Sequence, residues 1–290
     1  MIAMLKSSWT CLIFLAALGV ACKSNGPTGP TPSNEVSYSA IGASDGIGFG
    51  ASVVCAPFDP ECASGTGYVY LIKRRLQTDG LTVTLANRSV PGAVLSAAIQ
   101  NLGREVGRDI VANFVDGEAP FIASNSTHVT IFAGGNDANV IARHVELGRA
   151  GPDVRAFIDQ HINQWATDLN ELIRRVRTRA PNSRIVALNL PNLAAAPYVA
   201  SRSVLERSIL QRIAVSLTDR VNALTAQNVL VVDLMCDGRS YDPSRFSSDG
   251  FHPNDSGYAL MAELAYPALA NGSAPSPSGS CPQRTIFPVF

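Results

Sequence analysis

Residues 249–254 read Asp-Gly-Phe-His-Pro-Asn, which places the acid Asp249 three residues before the imidazole of His252. One local turn can bring two such side chains together. The carboxylate can then accept a hydrogen bond from Nδ1–H of His252, which fixes the tautomer and leaves Nε2 free as a general base. A base held in this way acts on a nucleophile, so the pair predicts a nucleophile elsewhere in the chain.

Ser44 is the candidate nucleophile. Residues 42–48 read Gly-Ala-Ser-Asp-Gly-Ile-Gly and follow a short β-like run, which predicts a glycine-rich turn between a strand and a helix. On such a turn the hydroxyl can be exposed while backbone N–H groups point into the same space. The string also fits Gly-x-Ser-x-Gly, the nucleophile elbow of α/β-hydrolases.

Two features argue against the α/β-hydrolase scaffold, although it stays open as an alternative. The elbow of that fold comes after several strands, whereas Ser44 follows the first strand of this chain. In addition, its acid and histidine lie on separate loops, whereas Asp249 and His252 are three residues apart.

Two further turns carry hydrogen-bond donors. Gly92 follows the second predicted strand and can bring its backbone N–H close to a ligand, because it has no side chain in the way. Residues 134–137 read Gly-Gly-Asn-Asp after the third strand, so Asn136 can present a neutral NH₂ group to a developing oxyanion. Asp137 is expected to cap the following helix or to hold this loop.

Strand-like and helix-like segments alternate along the chain, which predicts a doubly wound parallel sheet with helices on both faces. Ligands of such folds bind beyond the carboxyl ends of the strands, where all four candidate segments fall. The predicted strands are Val36–Gly42, Leu81–Ala86, His128–Ala133, Arg184–Leu190 and Val229–Leu234. The predicted helices are Thr66–Leu76, Ala93–Val106, Val154–Arg179, Val204–Leu224 and one that begins near Asn254 and passes through Tyr258–Leu264.

Composition limits the classes of partner. The 290 residues are 46% hydrophobic, and 23 basic residues balance 23 acidic ones. The chain is long enough for one sizeable core, and it shows no basic patch that would favour nucleic acid. Residues 55–65, 138–153 and 191–203 are expected to form loops that set specificity, and His144 is expected to face solvent.

The first residues predict export. Lys6 precedes an apolar run over residues 11–21, which is too short to span a membrane comfortably, so residues 1–21 are predicted to be a signal peptide of the lipoprotein type. The run ends in small residues before Cys22, which resembles a lipobox and predicts a lipidated cysteine in the cell envelope. An ordinary secretory signal, giving a secreted or periplasmic protein, is the alternative. Residues 22–34 predict a flexible tether, and 35–290 the folded domain.

Four cysteines remain after the predicted signal and anchor. An even number in an exported chain predicts two disulfides, and three pairings are possible. We favour Cys55–Cys62 as a local loop and Cys236–Cys281 as a link from the tail to the domain. No Cys-x-x-Cys spacing occurs, so no metal site is predicted.

Taken together, these segments resemble the SGNH hydrolases, also called the GDSL esterase/lipase superfamily. The resemblance covers residues of about 36–270 and lies in the turns of Ser44, Gly92 and Asn136 and in the Asp249–His252 segment. The chain departs from the family's Gly-Asp-Ser-Leu, because Ala43 precedes the serine and Asp45 follows it.

The resemblance implies a three-layer α/β/α fold of about five parallel strands, flavodoxin-like in order, and a serine esterase mechanism. Ser44 would be the nucleophile, His252 the base and Asp249 its orienting acid. The N–H groups of Ser44 and Gly92 and Nδ2 of Asn136 would form the oxyanion hole. No cofactor is implied, and the substrate would be a small-molecule, lipid or carbohydrate ester. A non-catalytic ligand-binding lipoprotein on the same fold is the rival hypothesis.

Overall fold

The computed structural model describes residues 34–290. The predicted signal peptide, Cys22 and nearly all of the predicted tether therefore lie outside the described residues. The strands are β1 (Glu35–Ile41), β2 (Thr82–Asn87), β3 (His128–Phe132), β4 (Arg184–Leu188) and β5 (Leu230–Val232). The α-helices are α1 (Ser44–Ile47), α2 (Tyr68–Thr78), α3 (Ala97–Glu105), α4 (Gly135–Glu146), α5 (Val154–Arg179), α6 (Val204–Asn222) and α7 (Asp255–Asn271).

The five strands form one parallel sheet in the order β2-β1-β3-β4-β5. This arrangement confirms the predicted doubly wound α/β architecture. The strand order reverses between β1 and β3, where Ala40 pairs with Thr130 and Ile41 with Ile131. In doubly wound folds a crevice opens at this reversal, beyond the carboxyl ends of the strands. Ser44 follows β1 and Asn136 follows β3, so both flank the crevice.

Side chains that alternate along the strands bury two separate cores, one on each face of the sheet. Ile185 and Ala187 of β4 join the larger core, which the helices α3, α4, α5 and α6 cover. Val186 and Leu188 join the smaller core, which α2 and α7 cover. Sheet faces that are both buried require the continuous apolar runs from which the strands were predicted. Over residues 34–290, no helix combines the length and the apolar character needed to cross a membrane.

Three expectations for residues 93–153 were wrong. The segment 138–153 is not mainly a loop, because α4 occupies Gly135–Glu146. The helix predicted from Ala93 begins only at Ala97, since Val94 forms a bridge with Asn113 instead. His144 is 1% exposed and stacks on Phe157, so it does not face solvent. Gly134 just before α4 and Gly135 at its first position are typical of a loop, so the start of the helix was not recognised. The last turn of α4 carries His144 into a buried position.

Both favoured disulfides are present. Cys55 is bonded to Cys62, and Cys236 is bonded to Cys281. The second bond holds the C-terminal strap, which we define as residues 272–290. The strap is also hydrogen-bonded along its length. Asn192 Nδ2–H donates to Gln283 O at 2.8 Å, and Gln211 exchanges two hydrogen bonds with the backbone of Phe287. The strap therefore supports the loop that follows β4.

Asp137 is a buried junction between three elements. Its Oδ1 accepts hydrogen bonds from Leu95 N–H at 2.9 Å and from Trp165 Nε1–H at 3.0 Å. It thus joins the first turn of α4 to the segment before α3 and to the middle of α5. The residue before α4 is Gly134, and no side chain caps this helix. Of the two roles expected for Asp137, the structure shows that of holding the loop.

We expect the two disulfides to stabilise the fold unequally. The sequence separations that they close are 45 and 7 residues. Because a longer closed loop restricts the unfolded chain more, replacing Cys236 and Cys281 by serine should lower the free energy of unfolding by about 4 kcal/mol, against about 2 kcal/mol for Cys55 and Cys62. Denaturant unfolding of the two double variants measures both values, and an equal or reversed order would contradict the prediction.

The carboxyl of Asp137 should make stability depend on pH. Burial raises its pKa from 3.8 to about 6, against the opposing effect of its hydrogen bonds. Since the unfolded chain gives up this proton at lower pH, the free energy of unfolding should fall as pH rises from about 4 to about 6 and then level off.

Asp137→Asn should remove this slope. The difference in unfolding free energy between the variant and the wild type should therefore change with pH, by up to about 3 kcal/mol. Urea unfolding at several pH values tests this. Asp109→Asn, at an exposed position of the loop after α3, is the control and should keep the slope. Parallel curves for Asp137→Asn and the wild type would refute the prediction.

Candidate active site

Three side chains form a continuous hydrogen-bonded chain. The Oγ of Ser44 lies 2.8 Å from Nε2 of His252. The Nδ1 of the same ring lies 2.6 Å from Oδ2 of Asp249. A carboxylate at Nδ1 fixes the tautomer in which Nε2 is the acceptor, so the hydroxyl of Ser44 can donate its proton to the imidazole. The structure thus brings together the three residues that the sequence singles out for nucleophilic catalysis.

The loop that carries His252 is held by the carboxylate of Asp249. Oδ1 accepts hydrogen bonds from Ser247 Oγ–H and from the N–H groups of Phe251 and His252, at 2.8, 2.8 and 2.9 Å. Burial opposes ionisation of Asp249, but the hydrogen bond from the His252 ring and these other bonds prevail and lower its pKa to about 2. The carboxylate is therefore charged at neutral pH. Asn254 then caps α7 by accepting hydrogen bonds from Ser256 and Gly257 N–H.

Ser44 opens α1 and is 6% exposed. The loop after α1 packs directly on His252: the ring of Phe49 lies 4.7 Å from the imidazole, centroid to centroid, and keeps 47% of its surface exposed. The Phe251 ring also contacts the imidazole, at a centroid distance of 4.8 Å. Two aromatic rings therefore confine the imidazole, which limits its rotation away from Ser44.

The Gly92 turn is hydrogen-bonded to the end of the strand that precedes Ser44. Val90 N–H donates to Gly42 O at 3.2 Å, and Gly42 N–H donates to Oε2 of Glu118 at 3.0 Å. Gly92 has a φ of +79°, and no atom lies within 4 Å of the point that a Cβ would occupy, so the backbone conformation rather than space favours glycine here. Among the turn, loop and cap hydrogen bonds of residues 34–290, none is donated by the backbone N–H of Ser44 or Gly92.

Asn136 is bonded to the same turn. Its Nδ2–H donates to Ala93 O at 3.0 Å, and its Oδ1 accepts a hydrogen bond from Arg108 Nη2–H at 3.3 Å. Gly134, just before α4, has a φ of +115°, a conformation that lets the chain turn sharply from β3 into the helix. The turns of Ser44, Gly92 and Asn136 are therefore linked in series by hydrogen bonds at the strand ends.

Asp45 follows Ser44 at the position where the family motif Gly-Asp-Ser-Leu has its leucine. Asp45 is half-buried and lines a cavity of about 80 Å³ behind the His252 loop. Burial raises the pKa of Asp45, and an electrostatic interaction with His252 opposes this effect. Most of the cavity wall is apolar and includes Phe132, Leu190, Leu234, Phe251, Leu260 and Met261.

Two residues that contact the strand-end turns, Glu118 and Arg108, were not predicted from the sequence. Glu118 lies in a five-residue π-helix (Phe114–Glu118) and is fully buried. Burial raises its pKa well above the usual range, and the hydrogen bonds from the N–H groups of Gly42 and Val90 oppose this effect. Arg108 lies in the loop after α3. Neither residue belongs to a motif, and the sequence alone carries no signal that would bring either of them to the strand-end turns.

Within residues 34–290, no group of three or more His, Cys, Asp and Glu side chains is placed to hold a metal ion. The arrangement of the strand-end residues is instead one of a nucleophile, a base, an acid and neutral hydrogen-bond donors. Such a set suits acyl transfer, in which negative charge develops on a carbonyl oxygen.

The fold has similar solved structures. The lipase Lip_vut3 from a goat rumen metagenome has a TM-score of 0.55 at 20% identity, covering 80% of this chain and 97% of that chain. An extracellular lipase from Streptomyces rimosus has a TM-score of 0.51 at 18% identity, covering 82% of this chain and 100% of that chain. At these identities the likeness concerns the fold. A search of curated proteins finds no significant match.

Family membership follows from the sequence comparison. The model of the GDSL-like lipase/acylhydrolase family matches residues 41–260, well over half of the chain. This range begins at the end of β1 and includes Ser44, Gly92, Asn136, Asp249 and His252. The chain therefore belongs to the GDSL-like lipase/acylhydrolase family and is a carboxylic ester hydrolase.

Proposed function

We propose that the chain hydrolyses carboxylic esters by a two-step serine mechanism. The Oγ of Ser44 attacks the acyl carbon while Nε2 of His252 takes its proton, and the carbonyl electron pair moves onto oxygen. The tetrahedral intermediate collapses, and His252 returns the proton to the leaving alcohol. His252 then takes a proton from a water molecule, which attacks the acyl-enzyme. This step releases the carboxylic acid and restores Ser44.

The observation that carries this proposal is the unbroken hydrogen-bonded chain from Asp249 through His252 to Ser44. Each of the three side chains is oriented for its step. Asp249 holds the charge that stabilises the imidazolium, and its other hydrogen bonds fix the loop. The hydroxyl of Ser44 needs no rearrangement to give up its proton.

Three donors would receive the oxyanion: the N–H groups of Ser44 and Gly92 and the second Nδ2–H of Asn136. This proposal is supported by the hydrogen bonds that link the three turns: Val90 N–H donates to Gly42 O, and Asn136 Nδ2–H donates to Ala93 O. Donors fixed in advance lower the barrier, because they do not have to reorient when charge develops.

Replacing Ser44 by alanine should abolish hydrolysis of a short p-nitrophenyl ester and prevent labelling by a fluorophosphonate. The melting temperature should stay close to that of the wild type, because only a hydroxyl is removed. Ser216→Ala on α6 is the matched control and should keep both activities. A wild-type chain that hydrolyses no ester and takes no label would favour the rival hypothesis of a non-catalytic ligand-binding protein.

Replacing Asn136 by alanine should lower kcat by about 100-fold or more, because one oxyanion donor is lost. KM should change little, since this bond forms mainly in the transition state. Steady-state kinetics on the same ester separates the two constants. A variant whose KM rises while kcat stays unchanged would show that Asn136 binds the substrate rather than the transition state.

For the substrate and the cellular location, only a class can be proposed. We propose small-molecule, lipid or carbohydrate esters as substrates. We also propose that the chain is exported and attached to the envelope through lipidated Cys22. Two disulfides suit a chain that folds outside a reducing cytosol. Metabolic labelling with a fatty acid, compared between the wild type and Cys22→Ser, tests the anchor; equal labelling would contradict it.

A further inference from the structure

Arg108 contacts the amide that is proposed to receive the oxyanion. Its Nη2–H donates to Oδ1 of Asn136 at 3.3 Å, while Nδ2–H of the same amide donates to Ala93 O at 3.0 Å. We propose that Arg108 is a positioning residue of the oxyanion hole, which orients the amide of Asn136 and strengthens its NH₂ group as a donor. This inference rests on the proposed esterase function.

The two partners of the amide determine its orientation. A guanidinium can only donate hydrogen bonds, and a backbone carbonyl can only accept them. If the amide were flipped, its NH₂ group would face Arg108 and its oxygen would face Ala93 O, so both hydrogen bonds would be lost. In the observed orientation one Nδ2 hydrogen is used by Ala93 O and the other is left for the substrate. Arg108 therefore ensures that Asn136 presents a donor and not an acceptor.

The charge of Arg108 adds a second effect. A cation at Oδ1 draws electron density from the amide nitrogen and makes its N–H a stronger donor, because hydrogen bonds in a chain polarise one another. The effect is larger where the hydrogen bond is charge-assisted and partly shielded from water. Arg108 is half-buried, and its guanidinium stays protonated in proteins.

No carboxylate neutralises this charge directly. Among residues 34–290, no acid lies within ion-pair distance of Arg108, and its one side-chain hydrogen bond is the bond to Asn136. The acid that affects it electrostatically is Asp137, whose Oδ1 accepts hydrogen bonds from Leu95 and Trp165. Among the described residues, Asn136 is the one that the guanidinium contacts by a hydrogen bond.

The experiment compares Arg108→Met, Arg108→Gln and Arg108→Lys, each in the wild type and in Asn136→Ala. On a neutral p-nitrophenyl ester, Arg108→Met should lower kcat by about 10-fold with KM within about twofold, as expected for one charge-assisted hydrogen bond that acts in the transition state. Arg108→Lys should recover most of kcat, because it keeps the charge. Arg108→Gln, a neutral donor, should recover less.

In the Asn136→Ala background, Arg108→Met should cause little further loss, because both act through the same donor. Arg104→Met is the control: Arg104 lies in the last turn of α3 and is hydrogen-bonded to Asn101, so kcat should not change. Melting temperatures should stay within about 2 °C of the wild type, since the replaced side chain lies in a loop and is only partly buried.

Three results would overturn the inference: an unchanged kcat in Arg108→Met, the same fold-loss with and without Asn136, or a raised KM confined to esters that carry a carboxylate. The last result would make Arg108 a site for anionic substrates. Ser44→Ala is measured in parallel. If Ser44→Ala stays active, the proposed function itself fails; if Ser44 and Asn136 are required but Arg108 shows no coupling to Asn136, only this inference fails.

Discussion

The carboxylate of Asp249 is the interaction on which the geometry of the site depends. One oxygen accepts three hydrogen bonds from its own loop, and the other accepts the hydrogen bond from the His252 ring. A single side chain thus fixes the backbone of the loop and the orientation of the imidazole. Because the acid and the base share one turn, their relative position does not depend on the packing of distant elements. The distance from the His252 imidazole to Ser44, in contrast, does depend on that packing.

That distance is set by the sheet. Ser44 is placed by β1, whereas the loop of His252 leads into α7, which packs on the smaller core. The loop after α1 closes the gap: Phe49 lies on the imidazole, and Tyr258 Oη–H donates to Phe49 O at 2.7 Å. On the opposite face of the sheet, Glu118 and Asp137 join strand-end turns to buried segments. The parallel sheet thus brings the strand-end turns close together, and the buried acids Glu118 and Asp137 fix those turns by hydrogen bonds.

Much of this could be predicted from the sequence, for identifiable reasons. The β-branched runs are recognisable because both sheet faces are buried, and the stripe of α5 because its other face is charged. Ser44, Asn136, Asp249 and His252 lie in short motifs whose residue types suit one chemistry. Helix α4 was not predicted because Gly134 precedes it and Gly135 is its first residue, and two consecutive glycines usually mark a loop. Glu118 and Arg108 act through contacts with residues 76 and 28 positions away, and spacing along a single sequence carries no signal for such contacts.

The separation of Ser44 from His252, 208 residues, has a consequence for synthesis. Ser44 leaves the ribosome early, and Asp249 and His252 leave late, so a partial product that ends before His252 lacks part of the hydrogen-bonded chain. The C-terminal strap follows later still, and it supplies the partners of Asn192 and Gln211 together with Cys281. A growing chain therefore lacks the Asp249–His252 pair, and the contacts of the strap, until these late residues have been made.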